Sequence, residues 1–122
     1  MKDNQHEQLF TELTPEEAAV IEGSGAFVED IRFDTYDTTR SFYVPPGGDI
    51  ILTSTTQSGK NNRLFTASIR NLKTNNTNAK TVRVGRGIRT EWKGVRGGNY
   101  KIDFRDTKDG VFVSGRANVS YT

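Results

Sequence analysis

Hydrophobic and polar residues alternate along most of the chain from residue 26 to the C-terminus. In the first such segment, for example, Phe27, Ile31 and Phe33 fall on one face and polar residues fall on the other. A period of two residues is typical of a β-strand that buries one face and exposes the other. The pattern predicts strands at residues 26–36, 40–44, 49–57, 63–71, 79–85, 89–95, 100–105 and 111–121. About eight short strands at this spacing predict an all-β fold, a single antiparallel β-sandwich of jelly-roll or immunoglobulin-like topology.

Turn-forming residues separate several of these strands. Two prolines and two glycines occupy positions 45–48, and Asp109-Gly110 has the composition of a tight turn. We therefore expect the two strands on either side of Asp109-Gly110 to form a hairpin. Trp92 is the single tryptophan of the chain, and a domain of this size would normally place it in the core.

The first 24 residues follow a helical pattern instead of an alternating one. Thr14 can cap a helix that begins at Pro15 and that Gly23 would end. Such a helix is shorter than the roughly 12 to 15 residues that an isolated helix needs in water, so a partner would have to order it. The chain is therefore predicted to consist of a short N-terminal helical segment in residues 1–24 and a β domain in residues 25–122.

The spacing of certain residues in this segment resembles that of a known leader peptide. They are a leucine, a glutamate with a small neighbour and an isoleucine: Leu13, Glu17, Ala18 and Ile21. Leu13, Glu17 and Ile21 are spaced four residues apart and so share one helix face. Gly23-Ser24 follows them. This pattern resembles the leader of double-glycine precursors, and residues 9–17 also resemble the opening of bacteriocin-like precursors of the cyanobacterial type. The resemblance covers about a fifth of the chain and does not extend to the β domain.

The resemblance implies an export route and a partner. A leader of this kind docks on a papain-like peptidase domain attached to an ABC exporter, which cuts after the second small residue and exports the remainder. Gly23 and Ser24 would then be the cleavage residues, and the cut could fall after Ser24 or, because Gly25 follows, one residue later. The mature protein would be secreted and extracellular.

Charge divides the chain at the same place. Residues 1–24 carry one basic and six acidic side chains, a net charge of −5, whereas residues 25–122 carry 16 basic and nine acidic side chains, a net charge of +7. Between Lys60 and Lys101 there are eleven basic residues and one acidic residue, Glu91. This excess predicts an anion-binding surface. Its candidate residues are Arg70, Arg83, Arg86, Arg89, Lys93 and Arg96.

The ligand of this surface is left open among anionic partners. Anionic polysaccharide or an envelope surface would satisfy the Coulomb attraction, whereas nucleic acid is not favoured because turns and core positions account for the nearby glycines and aromatic residues. A solvated surface that keeps the protein soluble explains the same charges equally well.

Catalytic chemistry is poorly supported by the residue types present. The sequence has no cysteine, and its one histidine, His6, lies in the proposed leader. We therefore predict no enzyme activity, no cofactor and no metal site. Carboxylate pairs such as Asp103 with Asp106 are formally possible in hydrolysis, but acids on turns and wet strand faces are usually only solvated. The sequence also has no transmembrane segment, because no stretch approaches roughly 18 consecutive apolar residues.

These features predict a secreted, non-enzymatic protein whose basic β-sandwich acts outside the cell as a matrix, surface-fibre or adhesive subunit. Polar, threonine-rich strands would also permit self-association through strand edges. Two alternatives remain. One is a bacteriocin-like antimicrobial effector, and the other is an intracellular module that binds anions or nucleic acid and keeps the N-terminal helix as part of its fold.

Overall fold

The computed structural model describes residues 24–59, 64–107 and 109–122. Within these ranges the regular elements are nine β-strands and no helix, which confirms the all-β class. The strands are β1 (Gly25–Phe33), β2 (Tyr36–Thr38), β3 (Phe42–Val44), β4 (Ile50–Ser58), β5 (Leu64–Asn71), β6 (Thr77–Arg83), β7 (Ile88–Trp92), β8 (Gly98–Arg105) and β9 (Val113–Tyr121). The predicted leader helix, with Leu13, Glu17, Ala18, Ile21 and Gly23, lies outside the described residues.

The strands form two antiparallel sheets that pack face to face. The first sheet has the order β1-β9-β4-β7, and the second has the order β2-β8-β5-β6. β3 belongs to the second sheet too, because Phe42–Val44 pairs with Gly98–Tyr100, at the opposite end of β8 from β2. Among the described strands, the chain stays in one sheet only from β2 to β3 and from β5 to β6. Most strands therefore pair with partners that are distant in sequence.

Aromatic side chains from both sheets meet in the core. Phe27 of β1 contacts Phe42 of β3 with ring centroids 5.6 Å apart, and Phe33 of β1 contacts Phe104 of β8 at 5.9 Å. The inward positions of Phe27 and Phe33 confirm the alternation, and Trp92, which is 2% exposed, is confirmed as a core residue. Each Å² of apolar surface removed from water contributes about 25 cal/mol, so these large rings provide much of the stabilisation between the sheets.

The prediction of a hairpin between the last two strands is wrong. β8 lies in the second sheet beside β5, whereas β9 lies in the first sheet between β1 and β4. β9 pairs with nine residues of each of its neighbours, so it forms two complete ladders there. Alternation shows only which face of a strand is buried, and a strand in either sheet produces the same pattern. Gly110 has the positive φ of a turn residue, +76°, but the connection leads to the other sheet.

Several predicted strands have different ends in the structure. Tyr36–Thr38 is a strand of its own instead of the end of the first one, and β6 begins at Thr77 instead of residue 79. The start of β6 is exposed on both faces at the edge of its sheet, so hydrophobic alternation could not mark it. The predicted turn at 45–48 is confirmed, because Gly47 has a φ of +80° and the N–H of Gly48 donates to Pro45 O at 3.0 Å.

Side chains from the facing sheet cover the edges formed by β1 and β2. The Asp37 carboxylate of β2 accepts a hydrogen bond from the backbone N–H of Arg32 in β1 at 3.0 Å. In the other direction, Glu29 of β1 accepts one from the N–H of Arg40, just after β2, at 2.9 Å. We call this the acidic edge, defined by Glu29 and Asp37. Both carboxylates occupy N–H groups that another strand could otherwise use for pairing.

The edges formed by β6 and β7 lie on the other side of the sandwich. There side chains donate hydrogen bonds to backbone carbonyls instead of accepting them from N–H groups. Lys80 of β6 donates from Nζ to the backbone oxygen of Glu91 in β7 at 2.7 Å. Trp92 of β7 donates from Nε1 to the backbone oxygen of Asn78 in β6 at 3.0 Å. We call this the basic edge, defined by Lys80 and Trp92. Here backbone carbonyls are the groups that side chains cover.

Candidate anion-binding site

The six predicted anion-binding residues do not share one face of the sandwich. Arg70 and Arg83 lie on the outer surface of the second sheet, and Arg89 lies on the outer surface of the first. Arg86, Lys93 and Arg96 lie in connections between strands. The structure brings Arg89, Lys93 and Arg96 together along the basic edge and the loops that follow it. Arg70, Arg83 and Arg86 do not line the cleft or the hollows that these three residues share.

A cleft of about 210 Å³ lies beside the basic edge, between the β5–β6 turn and the β7–β8 connection. We call it the edge cleft. Its floor is formed by Ile69, Trp92 and Tyr100, which are all buried. Polar side chains surround this floor: Asn71, Thr74, Asn76, Thr77 and Asn78 on one wall, and Lys93 and Arg96 on the other. The edge cleft therefore combines hydroxyl and amide groups with two cations.

Asn71 shapes the wall that the β5–β6 turn provides. Its side-chain oxygen accepts hydrogen bonds from the N–H groups of Lys73 at 3.0 Å and Thr74 at 3.1 Å. Its backbone oxygen accepts one from Asn75 at 2.7 Å, and Asn75 adopts the left-handed conformation, with a φ of +63°. Asparagine tolerates this conformation better than most residues, which accounts for the asparagine at position 75.

The opposite wall is tied to the β3–β4 turn. The N–H of Gly94 donates to the Asp49 carboxylate at 3.0 Å, and the N–H of Val95 donates to Gly48 O at 2.8 Å. The Tyr100 hydroxyl donates to Arg96 O at 2.6 Å from below. These bonds fix the backbone on both sides of the cationic side chains of Lys93 and Arg96, which are exposed.

Lys93 connects the edge cleft to a shallow hollow of about 490 Å³ on the basic edge, lined by Lys80, Arg89, Glu91 and Lys93. Arg89 Nη2 lies 2.5 Å from Glu91 Oε2, and this hydrogen bond from Arg89 lowers the pKa of Glu91 below its usual value. Three cations and one anion give this hollow a charge of +2, so the basic edge retains an excess of positive charge after internal pairing.

Arg70 has a different role, because it is paired with a buried acid. Its Nε and Nη2 donate to the two oxygens of Asp103 at 2.8 and 3.2 Å, and Asp103 is 3% exposed. Tyr36 and Thr38 of β2 also donate to Asp103, at 3.0 and 2.8 Å. Burial opposes the charge of Asp103, but the hydrogen bonds from Arg70, Thr38 and Tyr36 outweigh it and lower the pKa of this carboxyl.

Sequence reasoning did not include two cations that lie near this site. Lys80 lines the hollow on the basic edge, and Lys73 lines a further hollow beside the edge cleft together with Arg96. Both belong to the run of bases between residues 60 and 101, but their neighbours come from other strands. Only the crossing of the chain between the sheets places them beside Arg89 and Arg96.

The predicted cleavage residue Ser24 is exposed and lies directly before β1. The next residue, Gly25, pairs with Tyr121 in β9. A Cβ atom at Gly25 would lie 2.6 Å from the Tyr121 hydroxyl, so this position requires glycine or a shift of the tyrosine ring. The chain therefore passes from an exposed residue into a paired strand within one peptide bond.

The described residues contain no group of three or more His, Cys, Asp or Glu side chains placed to hold a metal ion. No helix within them is long and apolar enough to cross a membrane. In comparison with known proteins, no family model matches the sequence, and no significant match was found among curated proteins or solved structures. Its function must therefore be argued from its own residues and geometry.

Proposed function

We propose that this protein is exported through a double-glycine leader and acts outside the cell as a non-enzymatic adhesive subunit. The observation that carries the proposal is the start of β1 at Gly25, immediately after the Gly23-Ser24 pair at which the leader would be cut. The described core residues run from Phe27 to Tyr121. A peptidase that cuts after Ser24 would therefore release all nine described strands intact.

The same geometry favours one of the two cleavage positions. A cut after Gly25 would remove the Gly25–Tyr121 pair from the β1–β9 ladder, whereas a cut after Ser24 would leave the ladder complete. Proteases bind their substrates as extended, accessible segments, and exposed termini and loops are the usual sites of cleavage. Phe27 is buried in the core, so the residues after the cut become accessible only when the start of β1 leaves β9. Cleavage should therefore precede folding of β1.

The export step can be tested with the cognate peptidase or in the producing cells. Mass spectrometry of secreted protein should show a chain that begins at Gly25, and Gly23→Leu should abolish its formation because the bulky side chain blocks a site that accepts small residues. Gly23→Ala, which keeps a small side chain, is the matched control and should still be cut. An intact chain confined to cells would contradict export and favour the intracellular alternative.

We also infer that the sandwich is a jelly roll, counting β2 and β3 as one interrupted strand. The strand order β1-β9-β4-β7 opposite β2-β8-β5-β6 supports this topology, because β1 and β2 lie in different sheets. An immunoglobulin-like fold would place its first two strands side by side in one sheet. A jelly roll consists of eight strands wound as two Greek keys.

The adhesive role is supported by the edge cleft and the cations beside it. Lys73, Lys80, Arg89, Lys93 and Arg96 line the cleft or the hollows next to it, and Glu91 is the acid among their lining residues. Anionic polysaccharide or an anionic envelope surface would bind here through charge and through hydrogen bonds from the asparagine and threonine wall. The covered backbone groups of the acidic and basic edges support surface binding in preference to polymerisation through strand edges.

Binding to alginate, an anionic polysaccharide, tests this role. Replacing both Lys93 and Arg96 by alanine should weaken binding about tenfold, because each exposed ion pair contributes up to about 1 kcal/mol, and added salt should reduce the difference. Arg83→Ala with Arg86→Ala removes the same charge outside the cleft and should have a much smaller effect. Equal weakening by the two double variants would show that net charge, and not the cleft, is responsible.

A further inference from the structure

The outer surface of the first sheet contains a second concave region, over strands β1, β9 and β4. It is a groove of about 530 Å³ over the middle strands, and a smaller hollow of about 260 Å³ adjoins it beside Thr53 and Asn118. We call it the face groove. Its outward side chains include Asp30, Thr53, Thr55, Gln57, Arg116 and Asn118. We propose that the face groove binds an uncharged, extended oligosaccharide.

Strand register arranges these side chains as a regular lattice. Asp30, Arg116 and Thr55 lie side by side across β1, β9 and β4, and Asn118 lies beside Thr53 in the next row. Neighbouring rows are about 7 Å apart along the strands, and neighbouring strands are about 5 Å apart. Hydroxyl and amide groups both donate and accept hydrogen bonds, so this lattice matches a ligand that presents many hydroxyl groups of its own.

Gly115 forms part of the floor of the face groove. It lies between Ile31 of β1 and Thr56 of β4, and it has no side chain. A Cβ atom built there would lie 2.0 Å from the backbone oxygen of Thr55. The backbones of β9 and β4 therefore approach closely at this point, and the outward side chains of the adjacent residues line the groove around it.

The charge of the face groove distinguishes its ligand from that of the edge cleft. Its charged lining residues are Asp30 and Arg116, which pair with each other at 3.3 Å. Their charges cancel, in a β domain whose sequence has a net charge of +7. The lining of the groove consequently has no net charge, so its affinity must come mainly from hydrogen bonds and surface contact.

Phe112 is an exposed aromatic residue two positions before Ser114, outside the lining of the face groove. Phe112 is 41% exposed, and the Arg32 guanidinium group lies over its ring at 4.1 Å from the centroid. Arg32 is in the same row as Ser114 and Gln57. Neither Phe112 nor Arg32 is among the lining residues of the face groove, so a sugar bound there would contact its hydrogen-bonding side chains instead of this ring.

An extended peptide fits the face groove less well. Peptides that bind to sheets usually add to an edge through backbone hydrogen bonds and place alternate side chains in pockets. The face groove is on the surface of the sheet, where the paired backbone of β1, β9 and β4 is already occupied. Its outward side chains belong to polar or charged residues.

The test uses the full chain, labelled with ¹⁵N, and four uncharged hexasaccharides: cellohexaose, maltohexaose, mannohexaose and chitohexaose. At least one of them should shift the amide signals of Thr55, Gln57 and Asn118 with a Kd of about 1 mM or tighter. Gln57→Ala combined with Asn118→Ala should weaken this binding about tenfold, because two hydrogen bonds are lost. Thr81→Ala with Asn99→Ala, which alters exposed polar residues of the second sheet, is the control and should bind as the wild type does.

Several results would overturn the proposal. One is that none of the four hexasaccharides shifts these signals. Another is that the shifts cluster around Lys93 and Arg96, or that the control variant loses as much affinity as the groove variant. Tighter binding of alginate than of every uncharged hexasaccharide at Thr55 and Gln57 would contradict the uncharged ligand. Binding of an unfolded polypeptide at these residues, without any hexasaccharide binding, would show that the groove accepts peptides instead. None of these results depends on whether the protein is exported.

Discussion

Side chains cover backbone groups of the facing sheet at both edges, with hydrogen-bond acceptors at the acidic edge and donors at the basic edge. At the acidic edge, Glu29 and Asp37 accept hydrogen bonds from backbone N–H groups of the facing sheet. At the basic edge, Lys80 and Trp92 donate hydrogen bonds to backbone carbonyls. An open N–H requires an acceptor and an open carbonyl requires a donor, and charged groups form the stronger hydrogen bonds. Part of the charge at each edge therefore follows from the backbone group that it covers.

The two edges differ more in burial than in hydrogen bonding. Trp92 belongs to the core, whereas the side chain of Glu29 is 29% exposed and lies 3.7 Å from Arg40 Nε. Exposed ion pairs contribute about 0 to 1 kcal/mol, so Glu29 alone cannot hold the acidic edge. β2 depends on Asp103, which accepts hydrogen bonds from both Tyr36 and Thr38. The acidic edge is consequently stabilised by Asp103 on the outer surface of the second sheet, whereas the basic edge is stabilised by Trp92 in the core.

Removing the charge of Asp103 should have the largest effect. Asp103→Asn replaces a buried carboxylate that accepts hydrogen bonds from Arg70, Tyr36 and Thr38 by an amide with one acceptor oxygen, and we expect the free energy of unfolding to fall by about 3 kcal/mol. Urea unfolding followed by circular dichroism measures this change. Asp30→Asn breaks the exposed pair with Arg116 and is the matched control, with an expected loss of less than about 1 kcal/mol. Equal losses would contradict the role of Asp103 in holding β2.

Acid should weaken the acidic edge through the same carboxyl. The pKa of Asp103 is lowered in the folded state, because its hydrogen bonds from Arg70, Thr38 and Tyr36 outweigh the opposing effect of burial. The unfolded-state pKa is about 3.9, so the stabilisation by Asp103 is fully present above that value and is lost as the pH falls through the folded-state pKa. The difference in unfolding free energy between the wild type and Asp103→Asn should therefore be constant near neutral pH and shrink below about pH 4. A difference that persists unchanged to pH 2 would contradict this.

Trp92→Phe should have the next largest effect, because it acts on the basic edge through the core. The substitution removes the hydrogen bond to Asn78 O and part of the buried ring, so we expect a loss of about 2 kcal/mol in urea unfolding. Tyr100→Phe, on the same cleft floor, removes only the hydroxyl that donates to Arg96 O and should cost about 1 kcal/mol. A smaller loss for Trp92→Phe than for Tyr100→Phe would mean that the core does not hold this edge.

The sequence was sufficient to predict most of the strands and their inward faces, because burial determines which residues of a strand can be polar. Phe27, Phe33 and Trp92 are buried as expected. Strand partners could not be predicted in the same way. β9 alternates as a hairpin strand would, yet it pairs with β1 and β4, which are distant in sequence. Alternation carries no information about which neighbour lies beside a strand.

The candidate site could be predicted only as a list of cations. Arg70 and Arg89 look alike in sequence, but Arg70 is paired with Asp103 across a strand ladder, and Arg89 lies beside Lys80 and Lys93 on an edge. The difference depends on contacts between residues that are far apart in the chain. The face groove was not predicted at all, since threonine and asparagine on the outward positions of strands are ordinary residues until the register places them side by side.

Lys80→Met should have the smallest effect on stability but a measurable effect on binding. Lys80 is exposed, and losing its hydrogen bond to Glu91 O should change the unfolding free energy by about 0.5 kcal/mol, because methionine keeps most of the apolar stem. The same change removes one of three cations from the hollow on the basic edge, so binding to alginate should weaken several-fold in isothermal titration calorimetry.

Asp37→Asn is the corresponding change at the acidic edge. It should cost about 1 kcal/mol, since the carboxylate accepts from both Arg32 and Thr38 and the amide has one acceptor oxygen, but alginate binding should not weaken. If Lys80→Met leaves alginate binding unchanged while it lowers stability, the charge of the basic edge serves the backbone alone.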